Sequence, residues 1–188
     1  MNSGAYTLRE TTGTSGLEQT LRAAVEILAR FETPHLVAGG LAVQEHGYFR
    51  VTLDVDIIVP DVMDAVEELT ADLTGPFARY QACNDTVRDR RNGVLVNLLP
   101  AGSAFGKNPK FMFPIPTRVS DQPQFVTLEQ LIALKLDSWS GSPTRRLKDK
   151  SDVVELIKAL ELPRDLAIPE PVRDLYLETW VALQAESE

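Results

Sequence analysis

The chain has 188 residues and a mass of 20.8 kDa, with 44% hydrophobic, 24% charged and 7% aromatic residues. That composition excludes disordered and collagen-like chains and suits one folded domain, or one with a small helical appendage. A balance of 19 basic against 27 acidic residues gives a net charge of −8, which excludes a surface coated in positive charge for non-specific binding to nucleic acid or acidic membrane.

The single cysteine, Cys83, permits no intrachain disulfide and no thiol-based metal framework, so it reads as a small packing residue in a reducing, cytoplasmic compartment. Residues 1–16 lack both a basic start and an apolar stretch; they read as a flexible polar leader and not as a signal peptide. No apolar run approaches the roughly 20 residues that span a bilayer, so no membrane partner is expected.

Leu17, Leu21, Ala24, Val25, Leu28 and Phe31 recur at helical spacing until Pro34, which predicts an amphipathic helix of about four turns covering a sheet. Residues 35–40, HLVAGG, read as a strand ending in a glycine turn, followed by a short helix. LDVDIIVP, residues 53–60, alternates and then becomes wholly apolar, as in a strand with a half-exposed start and a buried end, and Asp54 and Asp56 share one face. Asp61 caps a helix predicted over about 62–73. FARYQACN (77–84) and GVLVNLLP (93–100) read as strands, joined by the charged DTVRDRRN as a solvated hairpin loop, with Asn97 in the middle of the second strand. Residues 101–123 are rich in Gly and Pro and read as irregular.

Thr127 and Gln130 form a capping box before a helix carrying Leu128, Leu131, Ile132, Lys135 and Trp139 inward. Gly141, Ser142 and Pro143 break it; helices then follow from about Lys148 to Leu160 and through Val172, Leu175, Tyr176 and Trp180. The expected fold is α+β, a small mixed sheet with covering helices. A core over residues 17–125 would carry a helical region over 126–188 packed on it.

Val37 to Val59 is the chemically informative segment. A glycine pair, Gly39-Gly40, lets the backbone turn between strand and helix and lets a phosphate approach main-chain N–H groups. Asp54 and Asp56 then lie about 7 Å apart along one strand face, from a rise of about 3.3 Å per residue. Paired carboxylate oxygens of this kind suit one or two Mg²⁺ ions that also bind nucleotide phosphates. Further on, Lys135 occupies a helix line that otherwise faces the core, and Asp149 starts the inward face of the next helix. Either the two form a partly buried ion pair holding the helices in register, or the ammonium meets a phosphate. The arginines 88, 90 and 91 form either a solvated loop or a contact for an acceptor's phosphates, and Arg145, Arg146, Lys148 and Lys150 form a second basic cluster that could admit RNA. His35 and His46 lack the spacing of a zinc site, and His46 reads as a cap on the short helix.

Strand, glycine pair, short helix and a strand carrying Dh[DE]h, where h is hydrophobic, resemble the signature of the polymerase β-like nucleotidyltransferase superfamily, with Gly39, Gly40, Asp54 and Asp56 at the matching positions. Lys135 followed by Arg146, Lys148, Asp149 and Asp152 resembles the C-terminal motif of the abortive-infection (type IV toxin) nucleotidyltransferases and their uncharacterised relatives. The resemblance implies a minimal nucleotidyltransferase fold, Mg²⁺ on Asp54 and Asp56, and transfer of a nucleotide from a nucleoside triphosphate to a hydroxyl on RNA, protein or a small molecule. It implies nucleotide contacts from Gly39, Gly40, Lys135, Arg146 and Lys148, and roles for Lys135, Asp149 and Asp152 in catalysis. One departure stands out: the superfamily's third carboxylate falls where this chain has Asn97, which offers oxygen but accepts no proton. A catalytically impaired nucleotide-binding or toxin–antitoxin interaction module is the alternative function.

Overall fold

Ser15 accepts a hydrogen bond from the Glu18 N–H at 3.2 Å and so starts helix α1, Gly16–Arg30. The computed structural model describes residues 15–104 and 108–185; the expected leader lies outside them up to residue 14. Leu21, Ala24, Val25 and Leu28 form the buried stripe of α1, as the spacing predicts. After it come β1 (Leu36–Ala38), α2 (Gly39–Glu45), β2 (Asp54–Val59) and α3 (Val62–Thr70). Asp61 caps α3 by accepting from the Met63 and Asp64 N–H groups at 2.8 and 3.0 Å. His46 stands at the C-cap of α2, its Nε2 2.8 Å from the Val126 carbonyl oxygen.

Three further strands, β3 (Phe77–Arg79), β4 (Thr86–Asp89) and β5 (Leu95–Pro100), complete a five-stranded mixed sheet of order β1-β2-β5-β4-β3. Only β2 and β5 run parallel. The charged segment expected as a hairpin loop is therefore corrected: β4 lies within it, and β3 ends at Arg79 instead of running to residue 84. Charge masks the strand because Asp89, fully buried, is satisfied internally. It accepts from Thr20 Oγ1 at 2.7 Å and from the Arg91 N–H, Nε and Nη2 at 2.9, 2.9 and 2.6 Å.

The strand pleat sorts the two sheet faces. Val55, Ile57 and Val59 of β2, with Val96 and Leu98 of β5, turn to the side covered by α1 and α3. Ala38 and Ile58 turn the other way, beneath three C-terminal helices, α4 (Leu128–Gly141), α5 (Leu147–Leu160) and α6 (Glu170–Ala185). Each fully buried aliphatic side chain here favours folding by about 1.5–3 kcal/mol before chain entropy is subtracted. The Thr127–Gln130 capping box opens α4, both of its hydrogen bonds being present at 3.1 and 3.2 Å. The Gly- and Pro-rich stretch forms no helix or strand among its described residues. Its end is pinned to β1 by the bond from the Val37 N–H to the Gln124 carbonyl and from the Val126 N–H to the Val37 carbonyl. The C-terminal helices cover only part of their sheet face; the end bearing Asp54, Asp56 and Asn97 stays open as a cleft.

Asp89 ties α1 to β4, next to the edge strand β3, so Asp89→Ala should lower unfolding free energy by about 2–3 kcal/mol in denaturant titration, having left Thr20 and the Arg91 N–H groups without their acceptor.

Candidate functional site

Alternation along β2 sends Asp54 and Asp56 to the open face, and parallel register with β5 sets Asn97 directly beside Asp56. The Asn97 Nδ2 donates to Asp56 Oδ1 at 2.9 Å and to Asp54 Oδ2 at 3.3 Å. Thr52 Oγ1 donates to Asp54 Oδ1 at 3.1 Å, and Thr86 Oγ1 to the side-chain Oδ1 of Asn97 at 3.4 Å. Burial pushes the Asp56 carboxyl above its usual range; the Asn97 hydrogen bond opposes that shift, and the neighbouring Asp54 charge adds to it. No basic side chain among the described residues lies within ion-pairing distance of either aspartate.

The glycine pair has a steric reason. Gly39 sits at φ +61°, in the left-handed region, and a Cβ there would fall 1.8 Å from Asp56 Oδ2. At Gly40 a Cβ would fall 2.4 Å from Thr52 Oγ1. Both glycines let β1 and α2 lie against the acidic strand.

Lys135, on α4, reaches Asp149 Oδ1 at 2.7 Å and Asp152 Oδ2 at 2.9 Å. Ser138 Oγ donates to Asp149 Oδ2 at 2.8 Å, and Arg50 grips Asp152 with Nε at 2.6 Å and Nη2 at 2.9 Å. The ion pair foreseen between α4 and α5 is thus present, and it extends to a partner that sequence reasoning missed. Arg50 lies 102 positions from Asp152, and nothing local marks an exposed-looking arginine as the mate of a distant acid.

A cleft of about 400 Å³ gathers Gly39, Asp54, Asp56, Asn97, Lys135, Arg146 and Asp149 on its walls. Gly40, Lys148 and Asp152 are not brought to those walls. Gly40 packs under Thr52, Lys148 is exposed on α5, and Asp152, 1% exposed, is buried between Arg50 and Lys135. Phe111, Phe113, Leu131 and Leu134 supply an apolar wall that the Gly- and Pro-rich stretch did not reveal, since its phenylalanines have no periodic context. Cys83 corrects another expectation: it is exposed and borders the cleft in the β3–β4 turn, because β3 ends before reaching it. Two of the three loop arginines are committed within the chain, Arg91 to Asp89 and Arg90 to the carbonyls of Leu73 and Gly75 at 2.6 and 3.0 Å. In the second basic cluster the Lys150 ammonium lies 4.2 Å from the Trp139 ring centre, while Arg145, Arg146 and Lys148 are exposed.

The donor set fits Mg²⁺ in one respect and limits it in another. Two carboxylates with no ion-pair partner offer hard oxygen, and Mg²⁺ takes one or two carboxylates and completes its octahedron with water and phosphate oxygens. No cluster of three or more His, Cys, Asp or Glu side chains suited to a metal occurs among the described residues. Retention of an ion would therefore lean on a phosphate ligand.

The fold is similar to that of an antigenic nucleotidyltransferase-like protein from Paracoccidioides brasiliensis, with a TM-score of 0.52 and 15% identity over 92% of this chain and 90% of that one. The solution structure of the antibiotic-resistance factor ANT(2'')-Ia matches with a TM-score of 0.49 and 15% identity over 89% and 95% of the two chains. No family model and no curated protein matches the chain. The architecture is thus a nucleotidyltransferase-like α+β fold. No helix among the described residues is long and apolar enough to cross a membrane.

Two outcomes follow from the geometry of the acidic strand. Gly39→Ala should cost about 1–3 kcal/mol in thermal or denaturant unfolding, since it adds left-handed strain to a collision with Asp56. Asp56→Asn should raise the melting temperature of the metal-free protein at neutral pH, because a raised folded-state pKa means that charging the carboxylate opposes folding. Its advantage should shrink as pH falls to the ordinary carboxylate range, where Asp56 is protonated in both states; a gain that persists unchanged in acid would contradict the assignment.

Proposed function

We propose that this chain transfers a nucleotide from a nucleoside triphosphate to a hydroxyl acceptor, with Asp54 and Asp56 holding Mg²⁺ at the mouth of the cleft. The observation that carries the reading is the unneutralised carboxylate pair, side by side on the open end of the sheet and across a cleft from the Lys135 ammonium. Asp54 and Asp56 would hold Mg²⁺, which would supply positive charge to offset that developing on the phosphates. Gly39 lets the phosphates lie against the main chain, and Lys135, held by Asp149, steadies them. Arg146 stands on the same wall and would add a bidentate phosphate contact. The acceptor oxygen bonds to the α-phosphorus as the bond to the departing pyrophosphate breaks, and the proton passes to the acidic pair. Catalysis on this plan is mainly positioning and electrostatics.

Asp149 and Asp152 serve in this reading as the partners that orient Lys135, each being committed to its ion pairs. The acceptor hydroxyl would belong to RNA, protein or a small molecule. A second reading is favoured by Asn97, whose amide N–H bridges both carboxylates where a third acid would serve as base. On that reading the chain binds nucleotide without turning it over and acts as an interaction module, in the manner of a toxin–antitoxin component.

With Mg²⁺ present, a nucleoside triphosphate should raise the melting temperature of the parent. Asp54→Ala and Asp56→Ala should each weaken its binding by about tenfold or more while remaining folded. Parent-like binding by both variants would refute the site. Incubation with α-labelled triphosphates and a cell extract separates the two readings: label in RNA, protein or a small molecule supports transfer, and its absence despite binding supports the module.

A further inference from the structure

Arg50 stands outside every motif in the sequence, yet it is the residue by which the loop before β2 grips the C-terminal helices. Its guanidinium takes both oxygens of Asp152, a carboxylate 1% exposed, from α5. The same loop is fixed at two other points: the Gln44 side-chain amide donates to the Arg50 carbonyl, and Thr52 donates to Asp54. Arg50 thus links the acidic strand to the lysine across the cleft.

The charge count explains what the link does. Arg50 and Lys135 against Asp149 and Asp152 make a neutral quartet. An ammonium has three N–H groups; Lys135 donates to Asp149 and pairs with Asp152, and its side chain lines the cleft, so its donors outnumber these two carboxylate partners. Without Arg50 the remaining three groups would carry a net negative charge in a buried place, beside an aspartate pair that already lacks a cation. Asp152 would then draw on Lys135 alone, and the cleft would repel a polyanion.

Resting on the nucleotide reading above, we propose that Arg50 is a positioning residue which, by neutralising Asp152, leaves Lys135 a free N–H and an effective positive charge for the phosphates of a bound nucleotide. Arg50 touches no substrate in this arrangement. It acts through Asp152 on Lys135, so its loss should be reversible by removing the acid it neutralises, which a purely architectural role would not allow.

The experiment compares equilibrium binding of Mg²⁺-nucleoside triphosphate by the parent, Arg50→Met, Arg50→Lys and the double variant Arg50→Met/Asp152→Asn, each checked for folding by circular dichroism. Arg50→Met should weaken binding about tenfold or more, Arg50→Lys should stay within about threefold of the parent, and the double variant should bind at least about threefold more tightly than Arg50→Met. If the parent turns nucleotide over, the loss in Arg50→Met should appear chiefly in KM. Unchanged binding in Arg50→Met, or a double variant as impaired as the single, overturns the proposal. A parent that binds no nucleoside triphosphate refutes the function proposed above instead. The same comparison with inorganic triphosphate, which needs no base recognition, then decides on Arg50: the same pattern upholds its role, and any other result, including no binding by the parent, ends it.

Discussion

Two carboxylates held two residues apart on one strand repel each other, and here the fold holds Asp54 and Asp56 together with no basic side chain among the described residues paired to them. Unit charges about 5 Å apart near a protein surface repel by about 3 kcal/mol. Folding alone gives no reason to keep that arrangement, since an apolar or singly charged strand end would be more stable. What holds it is backbone: β2 is locked between antiparallel β1 and parallel β5, with Val55, Ile57 and Val59 buried on the opposite face. A register slip of one residue would bury both acids and expose three apolar side chains, so the hydrophobic face fixes where the charges point.

The positive charge of the region is kept separate from those acids by the helices. Lys135 and Arg50 are both spoken for by Asp149 and Asp152, and the quartet spans α4, α5 and the loop before β2. Buried ion pairs of this kind contribute little net stability, because desolvation offsets most of the attraction, but they fix geometry. The consequence is a cleft with an acidic wall on the sheet and a restrained basic wall on α4, neither cancelling the other. A phosphate chain with a divalent cation is complementary to that division.

Much of this was legible in the sequence, for physical reasons that vary by element. The stripe of α1, the Asp61 cap and the Thr127–Gln130 box are local patterns whose partners lie within four residues, and each is found where the pattern puts it. Asp54, Asp56 and Asn97 share a face because strand alternation is strict, and the parallel pairing of β2 and β5 brings them together. β4 was hidden because one of its inward residues, beside Val87, is an aspartate, Asp89, whose partners Thr20 and Arg91 lie on α1 and just past the strand. A buried charge looks like a loop until its mates are known. Arg50 was hidden for the same reason at longer range, and Cys83 was misread because β3 stops four residues before it.

Asn97 bears most directly on what the cleft can do. A third carboxylate at that position would face Asp56 across the β2–β5 pairing and raise the local repulsion, demanding more than one divalent ion for balance. The asparagine instead donates an N–H toward each aspartate, which screens the pair and lowers the proton affinity that burial gives Asp56. Two carboxylates beside a neutral amide suit one divalent cation better than two. In the proposed transfer, proton removal from an acceptor would have no dedicated third acid and would fall to the two aspartates, which would make turnover slower than binding suggests. On the proposed function the aspartates would serve both metal-dependent binding and transfer, Lys135 and its supports would serve binding, and Asn97 would bear on transfer alone, by standing where a third acid would take the proton.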